Sequence, residues 1–137
     1  MASSFLKKIV LPNNLKIIKS NPVIGCSNLA SITCESTRFN AKRKMLIYTI
    51  NKRLIAYWGK DDKVVIPQGI SKIGDYAFCG CKFLAKIELP DSISTIENDA
   101  FYECESLTEI YIPKGTRRHF EQLSPSVLHK HLRETSC

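Results

Sequence analysis

A 23-residue period between Val65 and Gly115 restricts what this chain can fold into more than any other feature. Prolines fall at Pro67, Pro90 and Pro113, each one such period after the one before. The residues between them match in register. Ile70 aligns with Ile93, Ile73 with Ile96, Ala77-Phe78 with Ala100-Phe101, Cys81 with Cys104, Leu84 with Leu107, and Ile87 with Ile110. Apolar residues at fixed offsets in a period of this length specify a stack of similar coils rather than one closed core. Each unit has an apolar edge that it cannot bury alone, and stacking makes the core continuous. Ile87/Leu89 and Ile110/Ile112 alternate with polar residues, which predicts a strand before each proline. The segments after Ser71 and Ser94 cross the other side of the coil, where GDYAF and ENDAF suit short helical turns. Stacked in plane, the strands form a parallel sheet.

The repeated pattern I-P-x-x-I-x-x-I-x-x-x-A-F-x-x-C-x-x-L-x-x-I resembles the BspA-like leucine-rich repeat of bacterial surface proteins at nearly every signature position. The resemblance covers residues 6–32 and 64–115 well and the intervening segment loosely. It implies an α+β repeat solenoid: a leucine-rich-repeat stack with a parallel β ladder, one inserted β-hairpin and a C-terminal helical cap. The leucine-rich-repeat domain is expected over residues 1–113 and the cap over 114–137.

An earlier, degenerate copy of the unit starts at Pro12. Leu15, Ile18, Cys26, Leu29 and Ile32 stand at the positions of Ile70, Ile73, Cys81, Leu84 and Ile87, while Pro22-Val23 replaces the Ala-Phe pair. The chain begins inside a repeat, which leaves a first strand edge to be covered by the residues before Leu6, by more repeats or by a second chain. Ile87 stands just ahead of Pro90, whereas Ile32 is followed by no proline until Pro67, so a segment longer than a whole repeat is inserted after Ile32. Within this insertion, about residues 35–63, MLIYTI (45–50) and RLIAYW (53–58) are rich in β-formers. Asn51-Lys52 between them is read as a two-residue hairpin connection. The family often carries such a hairpin, with Asp-Gly just before it; this chain has Arg43-Lys44 there. Tyr48, Tyr57 and Trp58 are expected to pack the hairpin onto the stack. After Gly115 the pattern stops. TRRHFEQL reads as a short helix with Phe120 and Leu123 on one face. SVLHKHL reads as a second, entered at Pro125, with Val127, Leu128 and Leu132 closing the last coil.

Charge is unevenly spread. The formal net charge is +7, yet residues 64–113 carry three basic and eight acidic groups, and residues 35–63 carry eight basic and three acidic. A nucleic-acid binder more often shows one continuous basic stripe, so the acidic repeats argue against that class. Apolar residues make up 44% of the chain, enough for a core, but no run approaches a membrane span. The start, MASSFLKKIVLPNN, lacks an apolar stretch before Pro12, and no signal peptide is read from it.

Three of the six cysteines, Cys26, Cys81 and Cys104, occupy one repeat position. They are expected to form a buried column of free thiols, since parallel side chains about 4.8 Å apart are too far and too alike in direction for a disulfide. Cys34, Cys79 and Cys137 lie off that column. Cys79-x-Cys81 is too little for a zinc site. His129-x-His131 would place its rings on different faces of a helix. No metal or cofactor is expected, and no nucleophile–base arrangement or glycine-rich phosphate loop suggests an enzyme.

The informative surface is the outward face of the strand ladder. Four residues before each proline stand Lys8, Lys63, Lys86 and Glu109; two before stand Val10, Val65, Glu88 and Tyr111. Lysines in one column repel mildly in water, and such a face is either simply solvated or a site for an acidic partner. Lys63, Val65, Lys86, Glu88, Glu109 and Tyr111 are the candidate contacts. The leading expectation is a non-enzymatic module that binds a protein or glycan. The family resemblance implies adhesion at a bacterial surface, to host matrix or neighbouring cells, by a secreted or surface-held protein. The alternative is an intracellular interaction scaffold or a fragment of a longer repeat protein. Under either reading the N-terminal edge of the solenoid is a candidate surface for self-association.

Overall fold

Each proline that punctuates the sequence ends a strand and opens the same turn. The carbonyls of Pro12, Pro67, Pro90 and Pro113 accept the N–H of the residue three places on, at 3.2–3.4 Å. Proline has no N–H to donate to a ladder, so it can stand only where pairing stops. The turn after Pro67 needs a left-handed residue, supplied by Gly69 (φ 99°), and the turn after Pro113 uses Gly115 (φ 83°). Our computed structural model describes residues 5–26, 28–123 and 125–135, without the side chain of Val127.

In chain order the elements are β1 (Lys8–Leu11), β2 (Ser31–Cys34), β3 (Phe39–Lys42), β4 (Met45–Tyr48), β5 (Arg53–Tyr57), β6 (Lys63–Val65), β7 (Lys72–Ile73), β8 (Lys86–Glu88), β9 (Thr95–Ile96), β10 (Glu109–Ile112), α1 (Arg117–Leu123), a 3₁₀ helix (Ser126–His131) and β11 (Leu132–Glu134). They build a β-solenoid of about five turns. One ladder runs β6-β8-β10-β11, all parallel. On the opposite side β5, β7 and β9 pair in parallel, and β3 and β4 extend that sheet by antiparallel pairing. β1 and β2 form a separate parallel pair. The repeat period sets the register: Lys63 pairs with Lys86 and Lys86 with Glu109, each partner one period further along the chain.

The core follows from the alternation. Val64, Ile87, Ile110 and Leu132 form one buried column, and Ile66, Leu89 and Ile112 another. Each such side chain contributes about 1.5–3 kcal/mol relative to exposure. Across the coil, Phe78 stacks on Phe101 at 5.2 Å between ring centroids. The GDYAF and ENDAF segments are successive three-residue-step turns rather than α-helix, with Ala77 N–H on the Gly74 carbonyl and Cys79 N–H on that of Tyr76. Side chains repeat the ladder in the same period: Gln68 Nε2 donates to Asp91 Oδ1 at 2.8 Å, and the Ser71 and Ser94 hydroxyls lie 2.9 Å apart.

The insertion holds three strands, one more than the sequence suggests. Phe39–Lys42 pairs with Met45–Tyr48, so the two-residue turn lies at Arg43-Lys44. Asn51-Lys52 instead belongs to a four-residue loop, because Tyr48 pairs with Arg53. Arg43 (φ 54°) and Lys44 (φ 60°) are both left-handed, the requirement of a type I′ turn. Neither residue favours that region; the pairing that buries Phe39, Met45 and Leu46 imposes it. The last strand of the insertion then imitates a repeat. Leu54 pairs with Ile73, Tyr57 N–H donates to the Ala77 carbonyl as Phe78 N–H donates to that of Ala100, and Tyr57 packs on Phe78 at 5.4 Å. Ala56-Tyr57 thus stands one rung before Ala77-Phe78, in the manner of a repeat's Ala-Phe pair.

Two apolar clusters result. Leu11, Val23, Cys26, Leu29 and Ile32 gather in one with Phe39, Leu46, Ile55 and Ala56. Met45, Leu54 and Tyr57 join the other, with the regular repeats. β4 and β5 therefore stand between two cores. A bulge at Ile55, where Leu46 pairs with Ala56 and Ile47 with Leu54, lets two successive residues face the same cluster. Asn21 ties the first unit to the repeats, its Nδ2 donating to the Tyr76 carbonyl at 2.8 Å.

The C-terminal segment is more than a pair of helices. α1 forms as expected and buries Phe120. The second expected helix is a single 3₁₀ stretch that hands over to β11, whose Leu132 pairs with Ile110 and sits 1% exposed. The stack therefore gains a further rung. Leu128 packs partly against the core, and the Val127 side chain lies outside the described residues.

Two stability changes test this architecture. The pair Arg43→Asn with Lys44→Gly, which relieves two left-handed residues, should stabilise the protein by about 1–2 kcal/mol, read as a raised midpoint in urea unfolding. Leu132→Ala should cost about 2–5 kcal/mol; a loss under about 0.5 kcal/mol would show that β11 is not part of the packed stack.

Candidate functional site

The candidate contacts nominated from the sequence lie on the outward side of β6-β8-β10-β11. Alternation places two rows of side chains on it. One row is Lys63, Lys86 and Glu109; the other is Val65, Glu88, Tyr111 and Arg133. The structure thus brings six sequence-nominated residues onto one sheet face and adds Arg133. The signal for Arg133 was faint: Leu132 falls one position short of a full period after Ile110, and its strand neighbours are charged. Lys8 and Val10 are not on this face. β1 pairs with β2, so Lys8 stands beside Ser31 and Val10 beside Thr33. The insertion separates that pair from the ladder, and the expected lysine column is interrupted.

The charges on the face are partly matched. Lys86 Nζ lies 3.9 Å from Glu109 Oε2, and the Tyr111 hydroxyl donates to the same carboxylate. That hydrogen bond, ahead of burial, pushes the Tyr111 hydroxyl above its ordinary pKa. Lys63 Nζ stands 6.0 Å from the Tyr111 ring centroid, within range of a cation–π contact. Val65, 48% exposed, offers an apolar contact at one end of the second row. Below the face, a groove of about 400 Å³ runs along the strand ends between Val65, Glu88, Asp91 and Thr135.

The cysteine column is placed as follows. Cys26 is buried, but Cys81 and Cys104 are half-buried, because they end the turn that carries the Ala-Phe pair and lie at the rim of the core. The residue before each is left-handed: Gly25, Gly80 and Glu103. The Cys104 thiol donates to the Phe78 carbonyl at 2.9 Å. A hydrogen bond to Cys104 and then burial push the Cys81 thiol up, away from the thiolate that nucleophilic chemistry requires. Burial raises Cys34 and Cys79 as well. The five described cysteines are in no disulfide, and Cys137 lies outside the described residues. Among the described residues no group of three His, Cys, Asp or Glu is placed to hold a metal ion. His119 Nε2 lies 2.8 Å from the Ile93 carbonyl and His131 Nδ1 3.1 Å from that of Thr108, so both rings bind backbone. No described helix is long and apolar enough to cross a membrane.

One polar node joins the insertion to the repeats. Arg53 Nη2 donates to Glu97 Oε1 at 2.9 Å, and the Asp75 N–H donates to the same oxygen at 2.7 Å. Burial pushes the Glu97 carboxyl up, but these bonds and the charges of Arg53 and Lys72 outweigh it and hold the group below its ordinary value of 4.5. Sequence reasoning had no means of pairing two residues so far apart in the chain across an insertion.

Comparison with known proteins bears on this geometry. A family model described as BspA type leucine-rich repeat region (6 copies) matches residues 1–52 and 48–124. No curated protein matches the chain. A leucine-rich cell surface protein from Faecalibacterium prausnitzii A2-165 has a similar crystal structure, with a TM-score of 0.57 and 22% identity over 94% of this chain and 47% of its own. A leucine-rich repeat protein from Eubacterium ventriosum ATCC 27560 gives a TM-score of 0.60 and 19% identity over 80% of this chain and 37% of its own. The chain spans less than half the length of either, and at these identities the likeness is one of fold.

The depressed Glu97 carboxyl sets a pH dependence. A group whose folded pKa is lowered stabilises above its unfolded value and loses that contribution as pH falls through the folded value. Glu97→Gln should cost about 1–2 kcal/mol at neutral pH, allowing for partial exposure. The gap to the parent should close progressively below pH 4.5, as followed by denaturant melts across that range. A gap unchanged down to strongly acid pH would remove the carboxylate from the account.

Proposed function

The chain belongs to the BspA-type leucine-rich repeat family, and from that membership and the ladder geometry we propose that it is a non-catalytic binding module. It is a leucine-rich repeat module resembling bacterial leucine-rich cell surface proteins. The proposal adds the surface and the partner class: a protein or glycan of host or neighbouring cells meets the outward face of β6-β8-β10-β11, with the chain held at the cell surface or secreted.

The observation that carries this reading is the register. Successive rungs place Lys63, Lys86 and Glu109 side by side and Val65, Glu88 and Tyr111 beside them, on one sheet face. A rigid, periodic array of mixed charge with an aromatic and an apolar member is suited to recognition by an extended surface. None of these groups forms a nucleophile–base pair, so the face presents contacts rather than chemistry. The N-terminal strand β1, with Val10 53% exposed at its edge, offers a second surface, for pairing with another copy.

Binding of the purified chain to immobilised extracellular-matrix proteins and to a glycan array gives the direct test. Lys63→Glu with Lys86→Glu should abolish the binding of the parent chain to matrix proteins and to uncharged glycans, while its melting temperature stays within a few degrees. Retained affinity in that variant would exclude the ladder as the site. Protease shaving of intact native cells tests location: cleavage of the chain while cytosolic markers survive supports surface display, and protection until lysis removes it.

A further inference from the structure

The insertion and the first regular repeat enclose a cleft of about 370 Å³, separate from the ladder face and charged the opposite way to the repeats. One wall is the face of β3 and β4 that carries Asn40, Lys42 and Ile47, residues placed together by the pairing of Asn40 with Ile47. The other wall is the turn from Pro67 to Ile70. Three cations line it: Lys42 at the end of β3, Arg43 in the type I′ turn, and Lys52 in the loop after β4. Among the described residues no carboxylate lines it. Among the described residues none of the three cations is in an ion pair, whereas Arg53, Lys86 and Arg117 each have a carboxylate partner. Gln68 marks the boundary with the neighbouring groove, which Glu88 and Asp91 line.

The cations are not bunched at one point. Arg43 precedes β4 and Lys52 follows it, so the four residues of that strand separate them by about 14 Å at ~3.4 Å per residue. An extended anion can meet both ends at once. Between them lie an apolar surface, Ile47 and Pro67, and the amides of Asn40 and Gln68. No aromatic side chain lines the cleft, which leaves nothing for nucleic-acid bases to stack on. β3 is the edge strand of its sheet, so an acidic peptide is the competing occupant, and the test below includes one.

We propose that this cleft binds a linear anionic polysaccharide, with sulfate or uronate groups at the Arg43 and Lys52 ends and the C–H faces of the sugar rings against Ile47 and Pro67. The site does not depend on the ladder reading and would stand if that reading failed.

The test is titration calorimetry of the full chain at physiological ionic strength with a sulfated glycosaminoglycan tetrasaccharide. The parent chain should bind it. Lys42→Glu with Lys52→Glu should weaken binding by at least about tenfold, because like charges at the site oppose the ligand. Lys114→Glu with Lys130→Glu, the same change in net charge at the far end, should alter affinity by less than about twofold. Should the charge-reversed variant not fold, amide chemical shifts of the parent chain serve instead: the tetrasaccharide should move Asn40, Gln68 and Ile70. No binding, equal losses in the two double variants, or shifts confined to other residues would overturn the site. A hexaglutamate peptide or inorganic sulfate binding as tightly as the tetrasaccharide would overturn the ligand class.

Discussion

Backbone pairing between successive rungs is the constraint on which this structure depends. A rung here is two to five residues long, far too short to persist alone. Its N–H and C=O groups point along the stack and find partners only if another rung lies on each side. Its apolar side chains meet no one within their own coil beyond a few neighbours, but they meet the same residue type one period away. Val64, Ile87, Ile110 and Leu132 are buried because they stack, not because they surround a centre. Side-chain bonds such as Gln68 to Asp91 repeat the same displacement and add to it. Stability in such an array is a sum of nearest-neighbour terms, so a defect in one rung is felt mostly by the two beside it.

The repeats were legible because every level of the sequence repeated the same message. Proline, isoleucine and the Ala-Phe pair each returned once per period, and strand, turn and register followed. The insertion was harder. Its first strand, FNAK, has only Phe39 and Ala41 to mark an inward face, and its tight turn lacks the Asn-Gly that would have announced it. Tertiary burial of Phe39 and Leu46 holds Arg43 and Lys44 where their own preferences would not. The last rung was hidden for a different reason. Arg133 and Glu134 follow Leu132, so alternation is absent, and the 3₁₀ stretch before it shortens the period by one. The nominated ladder residues could be grouped because the register is arithmetic. The break in the lysine column could not, since it depends on which rung the insertion separates from which.

Charge divides the molecule in a way that composition alone obscures. In the repeats, cations and carboxylates are brought together by stacking: Lys86 meets Glu109, and the Glu97 carboxylate is held by Arg53 and a backbone N–H. In the insertion, Lys42, Arg43 and Lys52 line a cleft with no carboxylate among its described residues. The repeats thus engage charged groups such as Lys86 and Glu97 in the stack, while Lys42, Arg43 and Lys52 of the insertion are in no ion pair among the described residues.

The double-sided strands β4 and β5 have a consequence for how the sequence can vary. A rung with one face to solvent can accept substitutions at alternate positions with little effect on folding. β4 and β5 cannot, since Met45, Leu54 and Tyr57 serve one cluster while Leu46, Ile55 and Ala56 serve the other. A polar replacement at any of these six would be buried wherever it fell. Sequence drift in relatives of this chain should therefore be slowest in the segment that matches the repeat pattern least.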